Sequence, residues 1–203
     1  MKKIIFFNLV LALTAFGLVG CNNSNTTVAN ANRMNSGTMA NSSMNNSMNS
    51  SMNSSMNNEL SSADKEFMNK AAQSGMAEVA LGKMAADKAK APEVKAFGQR
   101  MVTDHSKAND DLKAVAAKLN VTLPTEVNSE QKEMMDKLSK LSGADFDKEY
   151  VPGMVEDHEK DVADFQKQSE SASNGDVKAF AANTLPTLKS HLEQIKSIHD
   201  KMK

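Results

Sequence analysis

Between residues 59 and 203 the sequence predicts an all-α domain, a bundle of four long helices. Apolar residues there recur at spacings of three and four, which is the period of an amphipathic helix. Charged residues of both signs fill the positions between them, and aromatic residues are few. A stretch of this length can bury a sizeable core, so a single domain is expected.

Capping residues, prolines and turn signals divide the domain into four long helices and one short helix. Ser62 is the predicted N-cap of the first helix, and Pro92 fits the first turn of the second. "SGAD" separates the short helix from the next long one, and Asp176 is expected to cap the last helix after "SNG". The expected helices run from about Ser62 to Lys90, from Pro92 to Leu119, from Ser129 to Leu141, from Ala144 to Ala172 and from Asp176 to the end.

A short internal repeat indicates how these helices are connected. "PEVKAFG" at 92–98 matches "GDVKAFA" at 175–181, so the second and fourth long helices begin alike. A duplicated helical hairpin would leave such a repeat, and a long, partly helical connection between two hairpins is typical of ferritin-like bundles. Chance similarity of a short alanine-rich stretch is the alternative.

The first 20 residues predict a lipoprotein signal peptide. Two lysines precede an apolar run that ends in small residues before Cys21, the only cysteine of the chain. "LVGC" at 18–21 resembles the lipobox of bacterial lipoproteins, in which the signal is cut before the cysteine and the cysteine is lipidated. Asn22, rather than an aspartate, follows it and favours the outer membrane of the bacterial envelope. An uncleaved anchor helix is the alternative.

Residues 21–58 predict a lipidated cysteine followed by a disordered tether. Asparagine and serine make up more than half of the tether, which leaves too little apolar surface to offset chain entropy. Met44, Met48, Met52 and Met56 recur in it every four residues. The repeat is interpreted as low-complexity linker sequence, and binding of Cu(I) by the thioether sulfurs is the alternative.

The chain has four histidines, and three of them lie in the apolar stripes of long helices. "MVTDH" at 101–105 and "MVEDH" at 154–158 place His105 and His158 in equivalent gaps of two stripes. His191 fills a similar gap between Leu188 and Ile195 in the last helix. In the first helix the polar residue on the apolar line is Glu78. Each long helix therefore turns one side chain that can bind metal or a proton toward the core.

The heights of these four side chains also agree. With a helical rise of ~1.5 Å per residue, Glu78 and His105 lie at nearly the same distance from the first hairpin loop. His158 and His191 likewise lie at nearly the same distance from the second hairpin loop. Three neutral imidazoles and one carboxylate at one level are a plausible ligand set for a divalent transition metal, namely zinc, iron, manganese or copper.

A metal site and a purely structural cluster of histidines would give four neighbouring residues different roles. Met101 and Met154 lie one turn from the histidines of the repeated motif, and as soft ligands they would favour copper. Asp104 and Asp157 directly precede the same histidines. If the histidines are only core residues, these aspartates, or Asp161, are their expected hydrogen-bond partners.

Four sequence stretches of the domain resemble a widespread bacterial family, number 4142 among the domains of unknown function. They are "AEVALGKMA", "VKAFGQRMVTDHSKAN", "FDKEYVPGMVEDHEKDV" and "FAANTLPTLKSHL". The resemblance implies a ferritin-like fold and an outer membrane protein, but no specific activity. A di-iron ferritin centre needs a carboxylate three residues before each of two histidines, and Val102, Val155 and Leu188 occupy those positions.

The predicted function is that of a lipoprotein held on the membrane by its lipid anchor, acting as an envelope binding or stress-protective module. The alternative is a metal-binding protein that buffers its metal or uses it in redox chemistry. The sequence has no phosphate-binding glycine loop, nucleophile elbow or His-Glu-x-x-His helix, so an enzyme is less expected. Nucleic acid is not an expected partner, because the domain has no basic stripe and the chain has a formal net charge of -1.

Replacing Cys21 by serine is expected to block lipidation, because the thiol is the acceptor of the lipid. Metabolic labelling with a palmitate analogue should label the wild-type chain and leave Cys21→Ser unlabelled and uncleaved. A wild-type chain that takes up no label would contradict the lipobox interpretation.

Overall fold

The computed structural model describes residues 60–203, which contain five helices and no β-strand. The predicted signal peptide, Cys21 and the tether lie outside the described residues. Judged by length and hydropathy, none of the five helices is suited to crossing a membrane. The helices are α1 (Ser62–Lys88), α2 (Pro92–Lys118), α3 (Ser129–Ser139), α4 (Gly143–Ser171) and α5 (Gly175–Lys201).

Two predicted helix caps are wrong by one or two residues. Ser61, rather than Ser62, caps α1, and its hydroxyl accepts a hydrogen bond from the backbone N–H of Asp64. Asn174, rather than Asp176, caps α5 by accepting from two backbone N–H groups of the first turn. In both places two good capping residues lie close together, and only the backbone conformation decides which one is free to accept.

Polar contacts at the two ends of the bundle fix the direction of each long helix. The backbone N–H groups of Lys90 and Ala91, in the α1–α2 loop, donate to the carboxylate of Asp147 near the start of α4. At the other end, the ammonium of Lys118 lies 2.7 Å from the carboxylate of Asp176 at the start of α5. Therefore α2 and α4 run one way, and α1 and α5 run the other.

The connection between α2 and α4 returns along the length of the bundle, because both helices run in the same direction. It contains α3, which packs against α1 and α4. The pairs α1–α2 and α4–α5 form the two hairpins, and α2–α5 and α1–α4 contacts close the bundle. This is the predicted ferritin-like arrangement, with the short extra helix in the long connection.

A polar layer divides the core into two apolar clusters. One, here called the upper cluster, contains residues from the start of α1, the end of α2, the end of α4 and the start of α5. The other, the lower cluster, contains residues from the end of α1, the start of α2, the start of α4 and the end of α5, together with Leu138 of α3. The polar residue on each long helix lies between the two clusters. The flanking pairs are Ala72 and Leu81 around Glu78, Met101 and Leu112 around His105, Met154 and Phe165 around His158, and Leu188 and Ile195 around His191.

The backbones of α1 and α2 approach each other closely where two glycines face each other. A Cβ atom on Gly82 would lie 2.7 Å from the carbonyl oxygen of Gly98. A Cβ atom on Gly98 would lie 2.6 Å from the carbonyl oxygen of Gly82 and 2.7 Å from the Cβ of Ala85. At these distances a side chain at either position would force the two backbones to move apart. The contact sets the separation of the two helices one turn from Glu78.

Gly98→Ala is expected to destabilise the domain by about 1–3 kcal/mol, because the added methyl group meets backbone rather than a movable side chain. Urea unfolding measures the free energy of unfolding. Gly175→Ala is the matched control, since a Cβ atom there meets nothing within 4 Å, and it should be neutral or slightly stabilising. Equal stability of the two variants would contradict the close packing of α1 against α2.

Candidate metal centre

The structure brings the four predicted side chains together in the middle of the bundle. His158 and His191 are 0% exposed, His105 is 5% exposed and Glu78 is 2% exposed. The three imidazoles offer one nitrogen each, and these three atoms lie within 4.8 Å of one another. The predicted convergence of one polar side chain from each long helix is therefore confirmed.

Hydrogen bonds hold each imidazole by one nitrogen. Nδ1 of His105 lies 2.8 Å from Oε2 of Glu78, and Nδ1 of His158 lies 2.9 Å from the backbone carbonyl oxygen of Met154. Nε2 of His191 lies 2.8 Å from Oδ2 of Asp104. When Glu78 is ionised, all three partners are acceptors, so the ring nitrogen in each contact is the donor and carries the proton.

The other nitrogen of each ring has no hydrogen-bond partner within the described residues. These atoms are Nε2 of His105, Nε2 of His158 and Nδ1 of His191, and all three are buried. Burial also lowers the pKa of each imidazole to about 4, so the rings are neutral at physiological pH. Three neutral imidazoles with free lone pairs therefore share one buried space, and this is the form that coordinates metal ions.

Glu78 is a carboxylate that lies beside two of the three imidazoles. Its Oε2 accepts the hydrogen bond from His105, while its Oε1 has no partner and lies 3.6 Å from Nε2 of His158. Burial raises the pKa of Glu78 to about 7, against the opposing effect of His158. Glu78 can therefore orient one imidazole and offer an oxygen to a cation held by the others.

Asp104, one of the aspartates expected to pair with a histidine, is the hydrogen-bond partner of His191. Burial favours the neutral acid, but the hydrogen bonds from His191 and from Arg100 outweigh it and lower the pKa of Asp104. Arg100 holds this carboxylate from the same helix and also donates to Gln194 and Ser190 of α5. His191 is thus oriented through a charged network that joins α2 to α5.

Asp157 is not the partner of a histidine, although it was predicted from its place in the motif. His158 uses the carbonyl of Met154 instead, because the preceding residue on a helix faces away from it by about 100°. Asp157 lines a groove that also reaches Glu78, and burial raises its pKa to about 6. Asp161, three residues after His158, also lines this groove and accepts a hydrogen bond from Ser74.

The two methionines beside the histidines belong to the lower apolar cluster. Met101 and Met154 are fully buried there, and Met154 reaches His158 through its backbone carbonyl oxygen. Phe97 packs nearby, with ring centroids 6.0 Å from His158 and 6.2 Å from His191. The contribution of Arg100 was not predicted, and its spacing of four residues from Asp104 was the available signal.

The fold and this cluster define the class of protein as a ferritin-like helical bundle with three histidines buried at its centre. The chain belongs to the family described as Domain of unknown function (DUF4142), whose model matches residues 49–198. The resemblance seen in the sequence motifs is therefore confirmed. No curated protein matches the chain.

Several solved structures share the fold. A DUF305 fragment from Deinococcus radiodurans has a TM-score of 0.61 and 11% identity, over 70% of this chain and 98% of that one. CopM in its Cu(II)-bound form has a TM-score of 0.59 and 16% identity, over 69% and 97%. A DUF305 protein from Streptomyces coelicolor, described as secreted, has a TM-score of 0.56 and 17% identity, over 67% and 91%. At these identities the likeness concerns the fold.

The hydrogen bonds predict an unusual set of imidazole tautomers in the metal-free protein. His105 and His158 should carry their proton on Nδ1 and His191 on Nε2. Long-range ¹H–¹⁵N correlation spectra distinguish the two tautomers, and His199, which lies outside the cluster, provides a reference signal. A proton on Nε2 of His105 or His158 would contradict the assigned contacts.

Proposed function

We propose that the bundle binds one transition-metal ion through His105, His158 and His191. The observation that carries the proposal is that each ring has one nitrogen hydrogen-bonded and one buried nitrogen without a partner. A histidine kept only for packing normally finds partners for both nitrogens, since an unpaired buried polar atom costs about 1–3 kcal/mol. Each of the three rings offers a nitrogen within 4.8 Å of the others, so one shared cation would account for the unpaired atoms.

The hydrogen-bond acceptors that contact the three imidazoles also favour metal binding. Metal-binding histidines usually donate their second N–H to a carboxylate or a backbone carbonyl, which fixes the ring and makes the free nitrogen more basic. Two of the rings here donate to carboxylates and one to a carbonyl. Glu78 would supply a fourth ligand through its unpartnered oxygen.

We propose copper as the metal, with zinc as the main competitor. Imidazole suits copper, zinc, iron and nickel, and divalent copper binds nitrogen sites more tightly than the other divalent first-row metals. CopM, whose fold is similar, has been solved in Cu(I)-, Cu(II)- and Ag-bound forms, which supports this choice. Because the three histidines are almost completely buried, we favour metal buffering over catalysis on a substrate.

We further propose that the protein works in the bacterial envelope, lipidated at Cys21 and held on the outer membrane. The leader sequence before Cys21 and the secreted character described for a protein of similar fold support an extracytoplasmic location. The stress-protective role predicted from the sequence would then be the binding of copper. The anchored bundle would hold copper in a compartment where free copper damages proteins.

Purified protein should bind one Cu²⁺ ion per chain, and alanine in place of His105, His158 or His191 should abolish binding, because each supplies one of three nitrogen ligands. Bound copper should stabilise the wild-type fold by about 2.7 kcal/mol when free copper is one hundred times its Kd. Native mass spectrometry gives the stoichiometry, and thermal melts with and without Cu²⁺ or Zn²⁺ give the stabilisation.

His199→Ala is the matched control, since it removes an imidazole outside the cluster and should leave copper binding unchanged. Glu78→Gln keeps an acceptor for His105 and should weaken binding less than any of the three alanine variants. The use of Cu²⁺ reduces interference from methionine sulfur in the tether, which prefers Cu(I). If no metal shifts the wild-type melt and His105→Ala destabilises the metal-free protein, the histidines are packing residues.

A further inference from the structure

A groove on one side of the bundle leads from solvent to Glu78. It lies between α1, α3 and α4 and has a volume of about 410 Å³. Asn128 and Met134, from the connection that contains α3, form its outer wall. Asp157 and Asp161 line its interior from α4, and Glu78 lies at its inner end.

Carboxylates outnumber basic groups along the groove. Glu130 and Asp164 are exposed and line it together with the two aspartates of its interior. Two lysines, Lys70 and Lys160, also line it, but each forms a salt bridge with a glutamate of its own helix, Glu66 and Glu156 respectively. Burial raises the pKa of Asp161 well above its ordinary value, so the negative field that the groove presents to ions in solution comes mainly from Glu130, Asp157 and Asp164.

Glu78 connects this groove to the histidines. Its side chain lines the groove, yet its Oε2 binds His105 and its Oε1 lies 3.6 Å from Nε2 of His158. Oε1 is buried and has no hydrogen-bond partner in the described part of the chain. A cation that reached the inner end of the groove would therefore meet an oxygen that is already next to the cluster.

On the opposite side of the bundle, the carboxylate that contacts His191 is already paired with a basic side chain. A second depression of about 590 Å³ lies between α2 and α5 and includes Asp104. The carboxylate of Asp104 is occupied by His191 and Arg100, and Arg100 also donates to Gln194 and Ser190 across the two helices. A cation approaching from this side would therefore find the carboxylate of Asp104 already paired with a guanidinium group.

We propose that the groove between α1, α3 and α4 is the path by which a metal cation reaches the three histidines, with Glu78 as the inner ligand that passes it on. This inference rests on the proposed metal-binding function. It adds that loading is one-sided and is accelerated by the carboxylates of the groove.

Stopped-flow mixing of the full-length protein with Cu²⁺ tests the path, with quenching of Tyr150, the only tyrosine, as the signal. The double variant Asp157→Asn and Asp164→Asn should load roughly tenfold more slowly than the wild type, because local attraction of the cation is reduced. It should still bind one ion per chain. Wild-type loading should also slow as ionic strength rises, since salt screens this attraction.

The matched control is the double variant Asp111→Asn and Asp176→Asn, which removes the same charge from the opposite depression. It should load at the wild-type rate. If the groove variant loads as fast as the wild type, or the control is the slower of the two, the path is wrong while copper binding stands. If the wild-type protein binds no copper at equilibrium, the proposed function fails and the path with it.

Discussion

The burial of one polar layer between two apolar clusters is the constraint on which the rest of the structure depends. Three imidazoles and a carboxylate at the centre of a bundle lose the hydrogen bonds of water, so the fold has to supply partners for them. It supplies one acceptor to each ring, from a neighbouring helix for His105 and His191 and from its own helix for His158, and it leaves the second nitrogen of each ring free. The layer is therefore half satisfied by protein, and a cation would complete it.

Two features make this layer asymmetric. On the α2–α5 side, Arg100 ties Asp104 to α5, and that network orients His191. On the α1–α4 side, Glu78 faces both His105 and an acidic groove that the α3 connection partly covers. The long connection required by two hairpins of this topology thus does more than join them, because it forms one wall of this acidic groove.

Most of the fold and the choice of four central residues could be predicted from the chain, because helical period and loop positions fix both the face and the height of a side chain. The hydrogen-bond partners could not be predicted as reliably. Asp157 precedes His158 in the motif yet points to the groove, whereas the partner of His158 is a backbone carbonyl, which no residue type reveals. Arg100 was missed because its role depends on residues of α5 that are distant in sequence.

The sequence by itself determined the helical class, the arrangement in two helical hairpins, the approximate length of the elements and the inward direction of one histidine or glutamate on each long helix. These properties are local, since they follow from residue spacing along one helix and from the turns between helices. Only the tertiary structure decided which ring nitrogens are free and how closely the three rings approach one another. The physical reason is that hydrogen-bond direction and charge screening depend on atoms from three or four helices at once, and their positions are set by packing contacts such as that of Gly82 against Gly98.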